Sequence, residues 1–298
     1  MDSHSVADAV NLQDSKNISI LNHGNTCLRP ATRWVVNFKS GYFEDYFRFD
    51  YSGYSGWSSL ARRFQLKTYP DREFKCIRNS QIKDYKKLSW PRPFVVFFSQ
   101  NPSDTAMSIS KYTQSEVLES IVKFSESMEY DVLLKLHPNY LKRIRENSLR
   151  IRDHEIESKI IHYVNENRAF LVDKSVHSLA APAQAVFTTN STTGFKSLLH
   201  EKPVFTFGES DYTSASYSAD IHKYRHWEEV IRKHEKSSII KNFVVTYLNE
   251  YSFRYSDPDL KSKLYYFFKK HICGYKKYVY CRSQKSQNKK AILKNVIV

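Results

Sequence analysis

Between residues 93 and 208, apolar runs of strand length alternate with segments of helical periodicity, and this alternation constrains the fold more than any other feature. Residues 94–99 (FVVFFS) form an apolar run, residues 113–128 place Val117, Ile121, Val122 and Phe124 at helical spacing, and residues 131–136 (DVLLKL) follow as a second strand. Residues 140–167 predict one or two helices with Ile156, Ile160, Ile161 and Val164 on one face. A third strand is expected at 169–172, a short helix at 176–181, a fourth strand at 185–189, a helix at 194–200 and a fifth strand at 203–207. Strands and helices in this order predict βαβ units, hence an α/β lobe with a parallel sheet and helices on both faces.

In open parallel sheets a ligand lies beyond the carboxyl ends of the strands, so the residues just after each strand matter most. Gln100 to Thr105 (QNPSDT) follow the first strand, His137 and Pro138 the second, Asn190 to Gly194 (NSTTG) the fourth, and Gly208 to Tyr212 (GESDY) the fifth. The turn Asn190, Ser191, Thr192, Thr193, Gly194 opens a helix, where free N–H groups, hydroxyls and the positive end of the dipole suit an anion. Ordinary N-capping by Ser191, Thr192 or Thr193 explains the same residues without a ligand. His137 can donate to a phosphate oxygen or assist a leaving group, or can simply be a turn residue. Asp104 can stabilise or attack an oxocarbenium-like centre, or can be a turn-former. Together these groups predict a lobe that holds a phosphorylated small molecule.

The rest of the chain is less regular. Residues 1–16 are polar and read as disordered, and residues 17–21 and 33–38 are short strand candidates flanking a loop that begins at Asn22. Residues 52–60 are turn-rich, 67–90 read as charged and irregular, and 90–93 as the end of a linker. Helices are expected at about 221–233, 237–251 and 258–270. The resulting division is 1–16 disordered, 17–92 the remnant of an N-terminal lobe, 93–236 the parallel-sheet lobe, and 237–298 C-terminal helices and a basic aromatic tail.

Charge and cysteines exclude several classes. The formal net charge is +15, but eleven Lys and Arg and no Asp or Glu lie in residues 261–298. That tail interleaves cations with aromatic rings, which suits an anionic membrane surface rather than nucleic acid; a solvated basic terminus is the alternative. The four cysteines have no C-x-x-C spacing and read as reduced thiols. No run approaches the ~18 apolar residues of a membrane span, and the acidic start MDSHSVADAV is unlike a signal peptide.

Three segments in order resemble the capsule polysaccharide biosynthesis family, the Kps and Lip type proteins of Gram-negative bacteria. Residues 94–108 (FVVFFSQNPSDTAMS) are similar to its strand followed by Q-x-x-x-D-(S/T), residues 135–138 (KLHP) to its K-x-H-P, and residues 190–212 to its N-S-T-x-G-x-E-A-L-x-x-G-K-P-V-x-x-x-G-x-x-x-Y. Upstream, Leu28-Arg29-Pro30 and residues 53–60 resemble its E-x-G-Y-L-R-P and G-V-N-G-x-S-S-L segments.

The resemblance implies a GT-B fold, of which residues 93–236 are the Rossmann lobe and the N-terminal lobe is incomplete. It implies a retaining glycosyltransferase that moves Kdo from CMP-Kdo to a lipid or lipid-linked acceptor, with no cofactor and no metal. Asp104 and His137 take the catalytic positions. Gln100, Lys135, Pro138, Asn190, Ser191, Thr192, Thr193, Gly194 and Tyr212 take the donor side, and Arg29, Ser58 and Ser59 the acceptor side. The partners implied are a nucleotide sugar, a lipid acceptor at the inner membrane and other capsule proteins, with the chain peripheral on the cytoplasmic face. Two departures stand out. Asn22 to Asn25 replace the segment in which the family carries a Glu, and Lys196 replaces the Glu of G-x-E-A-L. They motivate the alternative of a diverged, non-catalytic nucleotide-binding component of the capsule machinery.

Overall fold

A computed structural model describes residues 21–25, 33–38, 67–82, 85–102, 107, 110–208, 210, 212–250, 252–254, 258–259 and 262, the strands 21–25, 33–38 and 252–254 by their backbone alone. The elements are β1 (Leu21–Asn25), β2 (Arg33–Phe38), α1 (Asp71–Gln81), β3 (Phe94–Phe98), α2 (Gln114–Ser127), β4 (Asp131–Lys135), α3 (Pro138–Arg145), α4 (Ile151–Asn165), β5 (Phe170–Leu171) and α5 (Val176–Ala180). They continue with β6 (Ala185–Thr188), α6 (Thr192–Leu198), β7 (Val204–Thr206), β8 (Tyr217–Ser218), α7 (Tyr224–Lys233), α8 (Ser237–Glu250) and β9 (Ser252–Arg254).

Six strands form one sheet in the order β5-β4-β3-β6-β7-β8, and every pairing is parallel. All five residues of β3 are buried, as a central strand covered on both faces requires. Its side chains divide by the period of two. Val95 and Phe97 pack with Val117, Ile121, Ile156 and Trp227 from α2, α4 and α7. Phe94, Val96 and Phe98 pack with Phe74, Leu179, Leu198 and Val244 from α1, α5, α6 and α8. Helices therefore cover both faces, as the alternation predicts.

Strands β3, β4 and β5 step outward in one direction, and the chain then returns to set β6 against the other side of β3. The carboxyl ends of β3 and β6 thus flank a topological switch point, the place where such sheets open a crevice.

Two readings change, and one that was left open is decided. Residues 67–90 contain α1, whose Phe74 is 1% exposed and enters the core with α8. Only one face of α1 is apolar, and tertiary packing supplies the stability that its charged sequence hides. Of the segment 22–30 read as a loop, residues 22–25 belong to strand β1, which pairs antiparallel with β2 from Leu21↔Phe38 to Asn25↔Trp34, and residues 26–30 lie outside the described residues; ladder pairing outweighs the low strand propensity of Asn and Gly. Residues 140–167 are two helices, broken at Asn147, whose φ is 51°. Residues 1–16, the strand candidate at 17–20, most of the 258–270 helix and the basic tail lie outside the described residues.

Candidate functional site

Hydrogen bonds cross the seams between the central strands at their carboxyl ends. The His137 N–H donates to Ser99 Oγ (3.0 Å), which binds the end of β4 to the end of β3. Thr188 Oγ1 donates to the Phe98 carbonyl (3.0 Å) and accepts from the Ser191 N–H (3.3 Å), so β3, β6 and the turn into α6 are held together. The Gly208 N–H donates to the Thr189 carbonyl (2.8 Å), which adds the end of β7. Tyr212 then donates its hydroxyl to the Ser191 carbonyl. His137, Gln100, Asn190, Ser191, Gly194 and Tyr212 are in this way brought to one rim, at the switch point.

Each element supplies its group for a local reason. His137 is the N-cap of α3, with Pro138 at the first helical position, where its fixed φ is an advantage. Its Nδ1 accepts from the Asn139 N–H (3.2 Å), so in the neutral ring the proton sits on Nε2. Ser191 is the N-cap of α6, and its Oγ accepts from the Thr193 N–H (3.4 Å). Thr192 is exposed and Asn190 and Ser191 are buried. Gly194 is required by close approach: a Cβ there would stand 2.6 Å from Tyr212 Cζ and 2.7 Å from Cε2. Lys135 pairs with Asp173 at 3.2 Å. Thr189 Oγ1, on a residue with no exposure, has no hydrogen-bond partner among the described residues.

Two braces were not legible in the sequence. The Gln114 side chain bridges the backbone of Gln100, accepting from its N–H (2.8 Å) and donating to its carbonyl (2.9 Å). Arg143 Nη2 donates to Asn101 Oδ1 (2.6 Å) while the guanidinium forks onto Asp153, which is fully buried. The loop after β3 is therefore held from α2 on one side and from α3 on the other. A local signal exists only for Gln114, which follows the N-cap Thr113 by one residue.

A cavity of about 340 Å³ opens beside this loop, lined by Pro102, Met107, Lys111, Thr113 and Glu155 among others. Its volume lies in the range of small-molecule sites. Hydrogen bonding to Tyr112, aided by the nearby Asp220 carboxylate, holds the Lys111 ammonium above its ordinary pKa. Burial pushes the phenol of Tyr140, on α3, well above its usual range, so it stays a neutral donor to the Asp153 carbonyl (3.3 Å). Asp104 lies outside the described residues, and so do Arg29, Ser58 and Ser59. Among the described residues no cluster of three His, Cys, Asp or Glu could hold a metal, and no helix is long and apolar enough to cross a membrane.

Residues 39–256 match the sequence family described as capsule polysaccharide biosynthesis protein. No curated protein matches the chain. Among solved structures, the chain is similar to the KpsC beta Kdo 2,7 transferase of Thermosulfurimonas dismutans, with 18% identity, a TM-score of 0.51, and coverage of 86% of this chain and 77% of that one. The KpsC beta Kdo 2,4 transferase of the same organism aligns at 16% identity and a TM-score of 0.46, over 80% of this chain and 74% of that one. The likeness to the first is one of fold, and the parallel sheet with helices on both faces has the α/β, GT-B-like architecture expected. The match over residues 39–256 decides the family: the chain belongs to the capsule polysaccharide biosynthesis proteins.

Proposed function

We propose that this chain is a glycosyltransferase of capsule synthesis that moves Kdo from CMP-Kdo to a lipid or lipid-linked acceptor with retention of configuration. The observation that carries the reading is the hydrogen-bonded rim at the switch point, where His137 and the Asn190–Ser191–Thr192 turn converge in a chain of this family. Membership of the family and the fold shared with a beta Kdo transferase support the choice of sugar.

In this reading the CMP phosphate lies over the switch point, bound by the hydroxyls of Ser191 and Thr192. The bond from the anomeric carbon to the phosphate oxygen breaks with its electron pair going to that oxygen, and CMP leaves as an anion whose charge is met by a hydrogen bond from the His137 Nε2–H. Asp104, four residues beyond Gln100 in the sequence, stabilises or attacks the electron-poor anomeric carbon. The acceptor hydroxyl oxygen forms the new bond to the anomeric carbon, and its proton passes to the phosphate oxygen that the anomeric carbon has left. No metal or cofactor enters these steps. The basic aromatic tail keeps the chain at the cytoplasmic face of the inner membrane, near its acceptor.

The test is a transfer assay with CMP-Kdo and a lipid acceptor, paired with thermal stabilisation by CMP against AMP and UDP. Asp104→Ala should abolish transfer and spare CMP binding, whereas His137→Ala should weaken both. CMP binding without transfer by the unaltered chain would favour the non-catalytic alternative, to which Lys196 in place of Glu points. Lack of preference for CMP would remove the donor assignment.

A further inference from the structure

The connection from α3 to α4 presents apolar side chains among cations at the level of the candidate site. Ile151, the first residue of α4, is 92% exposed, and Ile144 near the end of α3 is 37% exposed. Lys142, Arg145 and Arg150, their neighbours in sequence, are exposed as well. Between residues 138 and 152 the sequence holds five Lys and Arg and one carboxylate, Glu146, which lies 3.7 Å from Lys142. Asp153 is wholly buried on Arg143 and does not offset this charge at the surface. Glu155 and Glu157 follow about one turn further along α4, Glu157 near His154 at 3.2 Å.

The connection is held in shape rather than left loose. The Ser148 N–H donates to the Arg143 carbonyl (3.0 Å) and the Arg150 N–H to Asp153 Oδ2 (2.9 Å). Because Arg143 also reaches Asn101 at the end of β3, this surface adjoins the carboxyl rim of the sheet. Helix α3 follows directly on its N-cap His137, so Ile144 stands about 10 Å along the helix from the rim.

We propose that the α3–α4 connection is a docking surface for an anionic lipid bilayer, with Ile144 and Ile151 entering the interface and Lys142, Arg145 and Arg150 meeting the headgroups. Charge complementarity selects the partner: exposed isoleucines interleaved in sequence with exposed cations meet acyl chains and anionic headgroups together, the combination that peripheral membrane segments use. Docking this way turns the rim that carries His137 toward the membrane. The inference requires only a bilayer and stands whether or not the chain transfers a sugar; its test reads membrane binding alone, so the two can fail separately.

The experiment is co-sedimentation of the full chain with phosphatidylcholine vesicles, with and without phosphatidylglycerol. The expected result is binding that needs the anionic lipid and falls about tenfold in Arg145→Glu/Arg150→Glu and several-fold in Ile151→Asp. Thermal melting checks that each variant folds, and Arg145→Gln/Arg150→Gln with Ile151→Ser replaces any that does not. Binding that is unchanged in folded surface variants, that occurs equally on neutral vesicles, or that is lost only through Lys276→Glu/Lys277→Glu in the tail would overturn the proposal.

Discussion

Arg143 grips Asp153 with two parallel hydrogen bonds, Nε to Oδ2 at 2.8 Å and Nη2 to Oδ1 at 2.9 Å. The carboxylate has no exposure, so its charge depends on that guanidinium and on the Arg150 N–H. Removing one partner of a buried pair costs about 3–5 kcal/mol. Arg143→Ala should lower the unfolding free energy by that order in urea titration. Replacing both residues with apolar ones should cost less than the two single changes summed; strict additivity would show that the pair is not coupled.

Gly194 and Tyr212 fit only because glycine lacks a Cβ. Gly194→Ala should destabilise by about 1–3 kcal/mol through overpacking. In a Tyr212→Ala background the same change should cost almost nothing further, because the ring it would strike is gone. A thermal denaturation cycle on the four proteins reads this coupling directly.

Helix α2 opens with a capping box: the Glu116 N–H donates to Thr113 Oγ1 (3.2 Å) and the Thr113 N–H to Glu116 Oε2 (2.8 Å). Thr113→Ala should cost about 1 kcal/mol. Thr113→Ser, which keeps the oxygen, should restore most of it in the same urea titration.

His200 is 7% exposed, its Nε2 lies 2.9 Å from His177 Nδ1, and Arg78, Lys202 and Lys87 are near. Burial, His177 and these cations push its pKa down to about 3, so the folded protein keeps it neutral. The unfolded chain binds this proton at a higher pH, near 6.5, so the contribution to stability is complete above that value and is lost as pH falls towards 3. The slope contributed between those limits approaches about 1.4 kcal/mol per pH unit. His200→Gln should flatten the fall in melting temperature between pH 6 and 4, and an unchanged profile would assign the acid sensitivity elsewhere.

Much of the parallel-sheet lobe was legible in the sequence. A buried strand such as β3 is a short apolar run bounded by polar turns, and α2 carries its core face at helical spacing. Elements that exist through partners were not legible. β8 has two residues, too few for any period, and is a strand because Tyr217 and Ser218 pair with Phe205 and Thr206. The charged sequence of α1 concealed a helix until Phe74 was seen packed in the core with α8.

The candidate site divides the same way. His137, Asn190 and Ser191 could be picked out because a strand end is a local feature. Asn101 and Arg143 are 42 residues apart, and Gln100 and Gln114 are 14 apart, so nothing in either segment announces its partner. By itself the sequence determined the strands and helices from β3 to β7 and which residues stand at those strand ends, because backbone periodicity and turn chemistry act over a few residues. Only the tertiary structure decided that β6 returns beside β3, that the loop after β3 is clamped by Gln114 and Arg143, and that Tyr212 closes over Gly194. Those outcomes depend on strand order and burial, which are set by contacts across the whole sheet.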